Sequence, residues 1–211
     1  MNYGKCKCTK RVSPRQKNGS GSNSTGIRTI DLTPASPKVA SALIPSDIFT
    51  GDPILIESQG TIKPCPANVT VKCAGVFQGI QFVNASGEQK FARSFTGGTT
   101  ATDVKIHIAS DPDQTFFIQA DATVTGSAGL GVGVVNAPYI LGTGSHKTGQ
   151  SAYVLDASGP TQATSHLRVI RRAPWDTGVG ASAGVTDQYP WYEVRINSHM
   201  DNYITATVSS A

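Results

Sequence analysis

The chain has 211 residues, 38% of them hydrophobic and 15% charged, with 22 glycines and a formal net charge of +4. That length allows one sizeable core with an extension. Low charge with many small and β-branched residues excludes a helical bundle, which needs Leu, Ala, Glu and Lys. The lack of 18 consecutive apolar residues excludes a membrane-spanning helix.

Residues 1–40 read as a basic, Gly/Ser-rich arm and residues 41–211 as a β-rich body. The first 38 residues hold Lys5, Lys7, Lys10, Arg11, Arg15, Lys17, Arg28 and Lys38 against Asp31 alone, a charge of +7. The remainder carries ten Lys/Arg against thirteen Asp/Glu, or −3. Such a split marks a tail with its own acidic partner. The stretch NGSGSNSTG (18–26) has nothing to bury and would be a tether in isolation; an arm ordered by its neighbours is nevertheless the expectation. No apolar run follows the first basic residues, so a secretory signal is not expected. Without a secretory route the N-x-S/T triplets at Asn23, Asn68 and Asn84 stay bare, and a reducing cytosol is the expected place of synthesis.

VASALI (39–44) is a short apolar lead-in, and Asp52-Pro53 turns the chain into ILIES. After Gln59-Gly60, the residues Val69, Val71 and Cys73 alternate with polar partners. Val76, Phe77, Ile80, Phe82 and Val83 continue the strand pattern. NASG (84–87) is a hairpin signal before EQKFARSF, and TGGTTATD (96–103) reads as a loop. Val104, Ile106 and Ile108 alternate before the turn Asp111-Pro112-Asp113. TFFIQADATV (115–124) is one strand, followed by the Gly-rich 126–135. SAYVLD, SHLRVIRRA, WYEVRINSHM and YITATV supply the later strands. Nine or ten short strands without a helical stripe between them predict an all-β protein. An antiparallel β-sandwich or barrel, jelly-roll-like or Ig-like, fits best.

Motifs that carry chemistry are scarce. His107, His146, His166 and His199 form no H-x-H, H-x-x-H or H-E-x-x-H pair, so metal binding by histidine spacing is not expected. Asp-Pro-Asp at 111–113 lacks the ligand spacing of a calcium loop. GLGVGVVN (129–136) lacks the third glycine and the helix of a dinucleotide site. Neither an enzyme nor a cofactor is expected. Cys6 and Cys8 form C-x-C in the arm, while Cys65 and Cys73 lie eight apart and could face each other across a short hairpin. Four thiols match a zinc count but not the C-x-x-C spacing, which leaves free thiols, one disulfide or zinc open.

Arg168, Arg171 and Arg172 lie together on one strand, with Arg168 and Arg172 expected on one face and Arg171 on the other. With Trp175, Trp191 and Tyr192 they suggest an intersubunit face, since aromatics and arginine are enriched at interfaces. A nucleic-acid surface is the weaker reading, because the body is net negative and has no RNP-like motif.

The run GVFQGIQFVNASGEQKFARSF with VKIHIASDPDQTFFIQAD resembles the head decoration, or cement, proteins of tailed bacteriophages, particularly those of marine and cyanobacterial hosts. The matching pieces are Gly75-Val76-Phe77, Gly79, Asp111-Pro112 and Phe117-Ile118-Gln119. SHLRVIRRAPW and YEVRINSH are similar to closing strands of that group. The resemblance spans roughly residues 50–200 and leaves the CKC arm unmatched. It implies a structural protein on the outer capsid surface, assembled in the host cytoplasm. Such a protein sits at junctions between capsomers of the major capsid protein, as a trimer or dimer, and opposes the pressure of packaged DNA. The basic arm would then reach a neighbouring capsid protein. A virion fibre or knob, or a host-glycan-binding β module, is the alternative; a membrane partner is not expected.

Overall fold

A computed structural model describes residues 27–32, 40–67, 71–122, 124–125, 136–157, 165–176, 186–187 and 189–201. The arm residues Lys5, Lys7, Lys10, Arg11, Arg15, Lys17 and Lys38, the thiols Cys6 and Cys8, the Gly-rich run 126–135 and the strand expected at 203–208 lie outside them. No helix among the described residues is long and apolar enough to cross a membrane.

The fold is all-β, as the alternating pattern predicts, with one helical turn, α1 (Ala40–Leu43). The strands in chain order are β1 (Ile27–Asp31), β2 (Ile48–Phe49), β3 (Pro53–Ile56), β4 (Ile62–Pro64), β5 (Gly75–Asn84), β6 (Gln89–Ala92), β7 (Ser94–Phe95) and β8 (Ala101–Ala109). They continue as β9 (Thr115–Gln119), β10 (Val124–Thr125), β11 (Asn136–Ala137), β12 (Tyr139–Ile140), β13 (Val154–Leu155), β14 (Leu167–Arg172), β15 (Thr186–Asp187) and β16 (Trp191–Ile196). The pairings between described strands are antiparallel, and two sheets dominate. The first runs β1-β8-β5-β3-β4, with β6 also on β5; the second runs β11-β14-β16-β9.

The two longest strands divide the interior. Phe77 and Ile80 of β5, with Val104, Ile106 and Ile108 of β8, turn into a first core with Leu43, Ile44, Ile48 and Phe95. Their neighbours Val76 and Ala109 turn the other way and meet Leu167, Val169, Val194 and Ile196 of the second sheet. Strand alternation thus gives β5 and β8 an apolar residue on each face, the signature of a sheet covered on both sides. The NASG hairpin forms as expected: Asn84 Oδ1 accepts hydrogen bonds from the amides of Ser86 (3.0 Å) and Glu88 (2.9 Å), and Gly87 has φ +80°.

Several expectations change. Arg28, assigned to the arm, sits in β1 opposite Ile108; residues 27–31 of the assigned arm form an edge strand of the first sheet. Residues 101–103, read as loop, open β8, because Ala101 and Thr102 find partners in Asn84 and Val83. The strand expected at 115–124 ends at Gln119, where Ala120 bridges Leu155 instead. The strand expected around Val69–Cys73 is absent from its described part, residues 71–73. Cys73 makes only an isolated parallel bridge to His199.

The turn between β2 and β3 buries a carboxylate. Asp52 Oδ2 accepts the Phe49 amide at 2.8 Å, and burial raises the Asp52 pKa against the lowering effect of Ser151 and that amide. A carboxyl with a raised folded pKa keeps its proton longer in the folded state, so stability falls as pH rises from the ordinary aspartate value, about 3.9, through the folded value. Asp52→Asn retains an acceptor for Phe49 and removes that titration. In urea denaturation, wild type is expected to lose stability relative to Asp52→Asn as pH rises from about 4 towards neutrality. A pH-independent difference between the two proteins refutes this.

Candidate functional site

Two places on the molecule gather chemically capable side chains. The first is the outer face of the second sheet. Its register sets Arg171 opposite Glu193 and Glu193 opposite Phe117; Trp191 stands opposite Gln119 and Arg195 opposite Thr115. Because β16 alternates, Trp191, Glu193 and Arg195 share the face turned away from the core, while Tyr192 and Val194 are buried.

A β-bulge between Val169 and Arg171 resets this face. Without it, Arg168 and Arg172 would point the same way, as expected from plain alternation. The extra residue, Ile170, brings Arg168 and Arg171 to the outer side and pairs Arg172 with the buried Tyr192. Bulges re-aim side chains in this way.

Arg171, Arg172 and Arg195 form ion pairs with acidic residues. Arg171 Nε donates to Glu193 Oε2, and that bond, followed by the Thr115 hydroxyl, holds Glu193 below the usual carboxylate range. Arg172 Nη2 donates to Asp176 Oδ1 at 3.0 Å, and Asp176 Oδ2 accepts the Trp191 amide at 2.5 Å. Asp176 therefore ties the turn carrying Trp175 to the start of β16. Arg195 Nη1 donates to Asp113 Oδ1 at 3.1 Å.

Against this frame lie exposed aromatics. Trp175 is 58% exposed, Phe117 43% and Trp191 39%, and the Phe117 and Trp175 rings stand 4.2 Å apart between centroids at 56°. Tyr189 is exposed beside them, its carbonyl accepting Gln119 Nε2 at 3.1 Å. The sequence pointed to Trp175 and Trp191 but not to Phe117 or Tyr189. Alternation within TFFIQ was the available signal, since only one of two adjacent phenylalanines can face the core. Tyr192, grouped with the interface, is instead a core residue.

The second place is buried. Cys65 follows β4 and Cys73 precedes β5, and β3 lies between those two strands rather than a direct hairpin. The Cys65 amide bonds the Pro53 carbonyl (2.8 Å) and the Ala74 amide bonds the Ile54 carbonyl (2.6 Å), so both flanks are pinned to β3. The segment beyond β16 completes the frame. Cys73 bonds Ser198 and Met200 through its amide and carbonyl, and the His166 carbonyl accepts the Asn197 amide. The result sets the two sulfurs 2.8 Å apart, with Cys73 Sγ 3.8 Å from the Tyr139 hydroxyl.

Tyr139 donates to the Cys65 or Pro66 carbonyl, at 3.1 and 3.0 Å. His166 is fully buried with a ring 5.0 Å from that of Tyr139. Its nearest ring nitrogen and the two sulfurs lie within 4.8 Å of one another. The Cys73 thiol, first, then His166 and Tyr139, pull the Cys65 thiol down to about 5. The same pairing, with burial, pushes Cys73 up. Burial raises Tyr139 in turn, so it stays a neutral donor.

His146 lies elsewhere, 2.9 Å from the exposed Asp47, and half-buried His107 meets the Thr29 hydroxyl at 3.0 Å. No protein-family model, curated protein or solved structure matches this chain.

Proposed function

We propose that this chain is a non-enzymatic structural protein of a virion that binds the outer surface of a phage capsid at capsomer junctions and stabilises the head against internal DNA pressure. The observation that carries the reading is the rigid outer face of the second sheet, where Trp175, Phe117 and Trp191 stay exposed although large aromatics gain most from burial. Contiguous exposed aromatics framed by arginines fit a protein interface. Ion pairs inside the chain already occupy Arg171, Arg172 and Arg195. The face is therefore pre-ordered, which lowers the entropy cost of docking.

The +7 carried by residues 1–38, against −3 on the body, supplies a second attachment to an acidic neighbour. Single exposed ion pairs contribute only about 0–1 kcal/mol each, so the arm acts through number and tethering while the aromatic face provides the anchor. The sequence resemblance to decoration proteins supports the capsid as the partner. A sugar-binding β module is the second reading, because the Phe117–Trp175 pair offers an exposed ring beside Gln119.

Trp175→Ala is expected to lower occupancy on purified heads about tenfold or more, the effect of a central interface aromatic. Deleting residues 1–26 should weaken binding and flatten its salt dependence. Copy number by gel densitometry and position by electron microscopy read both. Unchanged occupancy in Trp175→Ala sinks the docking face, and saturable glycan binding lost in the same variant transfers the face to the sugar reading.

A further inference from the structure

We propose that Cys65, Cys73 and His166 form a buried binding site for Zn²⁺, which clasps the first sheet to the second. Three donors of the types zinc prefers, two thiol sulfurs and an imidazole nitrogen, converge within 4.8 Å from three separate stretches of chain. All three residues are buried.

His166 separates this reading from a mere thiol pair. Both of its ring nitrogens are buried without a well-formed hydrogen bond; a weak contact with the Cys65 sulfur, which lowers that thiol, leaves the imidazole largely unsatisfied, a costly state in the interior. A disulfide between the two cysteines would leave that imidazole as it stands. A cation bound through one of its nitrogens gives the ring a partner.

The sulfurs would have to move to take up the ion. Two unbonded sulfurs do not rest comfortably at 2.8 Å. A tetrahedral ion with Zn–S distances of about 2.3 Å spreads them to roughly 3.8 Å, a movement of about 1 Å.

Charge balances as well. Binding displaces whatever protons the two sulfurs still carry, and two thiolates with neutral His166 around a divalent ion leave no net charge in the interior. The consequence is structural. Cys65 and Cys73 flank β3 in the first sheet, while His166 immediately precedes β14 in the second. A shared ion would fasten the two sheets within the second core, to which both cysteines belong.

The test uses the full chain carrying Cys6→Ser and Cys8→Ser, so that the arm thiols cannot supply ligands, purified with reductant and loaded with Zn²⁺ or Co²⁺ alone. One Zn²⁺ per chain by native mass spectrometry is expected, with a thiolate-to-cobalt charge-transfer band for the Co²⁺ form. His166→Ala should weaken Zn²⁺ binding at least about 100-fold, more than typical losses from residues that merely support a ligand. Chelation should lower Tm in the parent and not in Cys65→Ser. If His166→Ala fails to fold, the cobalt band of the parent decides. No stoichiometric metal, no charge-transfer band, or a mass showing a Cys65–Cys73 disulfide in thiol-trapped protein overturns the site. Retention of full affinity in His166→Ala overturns the role of the histidine. None of these outcomes depends on capsid binding.

Discussion

Gly75→Ala is expected to destabilise the protein by about 3 kcal/mol or more, lowering Tm by roughly 6–12 °C. Gly75 opens β5 with φ +144°, a region that side-chain-bearing residues avoid. A Cβ there would stand 2.2 Å from the Ala109 carbonyl oxygen and 3.0 Å from Ser110 Cα. Both obstacles are backbone of the end of β8, held by the β5–β8 ladder through Val76 and Ala109, so neither can swing aside as a side chain would. The methyl therefore forces the two central strands apart at the point where both cores meet. Gly60→Ala is the control: φ is +79° and no heavy atom lies within 4 Å of the added carbon, leaving only a conformational cost of about 1–2 kcal/mol. Urea denaturation of both variants at matched m-values measures the difference. Equal losses would show that conformation alone, not the approach of β8, demands glycine at position 75.

The strands that could be read from the sequence are those whose pattern is carried by their own residues. Val104, Ile106 and Ile108 alternate because β8 buries one face along its length, and NASG turns because Asn84 folds its side chain back on the amides it precedes. β1 escaped notice because a basic, Gly/Ser-rich flank masks IRTID, and its pairing is decided by an open edge on β8 more than seventy residues away. The two-residue strands β2, β7, β11, β12 and β13 carry no period at all; long-range backbone bonds define them. The same limit governs the sites. The bulge at Ile170 reversed the expected orientation of Arg172, since a one-residue insertion flips every later side chain. His166 has no ligand-like spacing to either cysteine, and only the frame of β3, β14 and the 197–200 segment brings the three together. The aromatic residues of the outer face were half legible: Trp175 and Trp191 stand out by rarity, whereas Phe117 is distinguished from Phe116 only by which side of β9 faces water.

Phe77→Ala tests the first core in the same terms. The ring is fully buried and packs in the cluster that includes Ile44, Ile54, Ile106 and Ile108, while the Phe77 amide and carbonyl bond Asp52 and Gly51 at 2.9 Å. Truncation leaves those backbone bonds in place and removes only the ring, so the cost reports the cavity. Large aromatic-to-alanine changes in such surroundings cost about 3–5 kcal/mol. Against a total stability of about 5–15 kcal/mol, that is a large fraction of what holds the fold. Surrounding groups cannot close the gap easily. Neighbouring Val76 faces the second core, and β5 is pinned by β8 on one edge and by β3 and β6 on the other. Phe91→Ala, in the facing strand of the same hairpin but largely exposed, is expected to change stability by no more than about 0.5 kcal/mol. Both values come from chemical denaturation of the full chain at neutral pH. A cost below about 1 kcal/mol for Phe77→Ala would mean that the site collapses around the lost ring, and the first core would then not be the close-packed layer described.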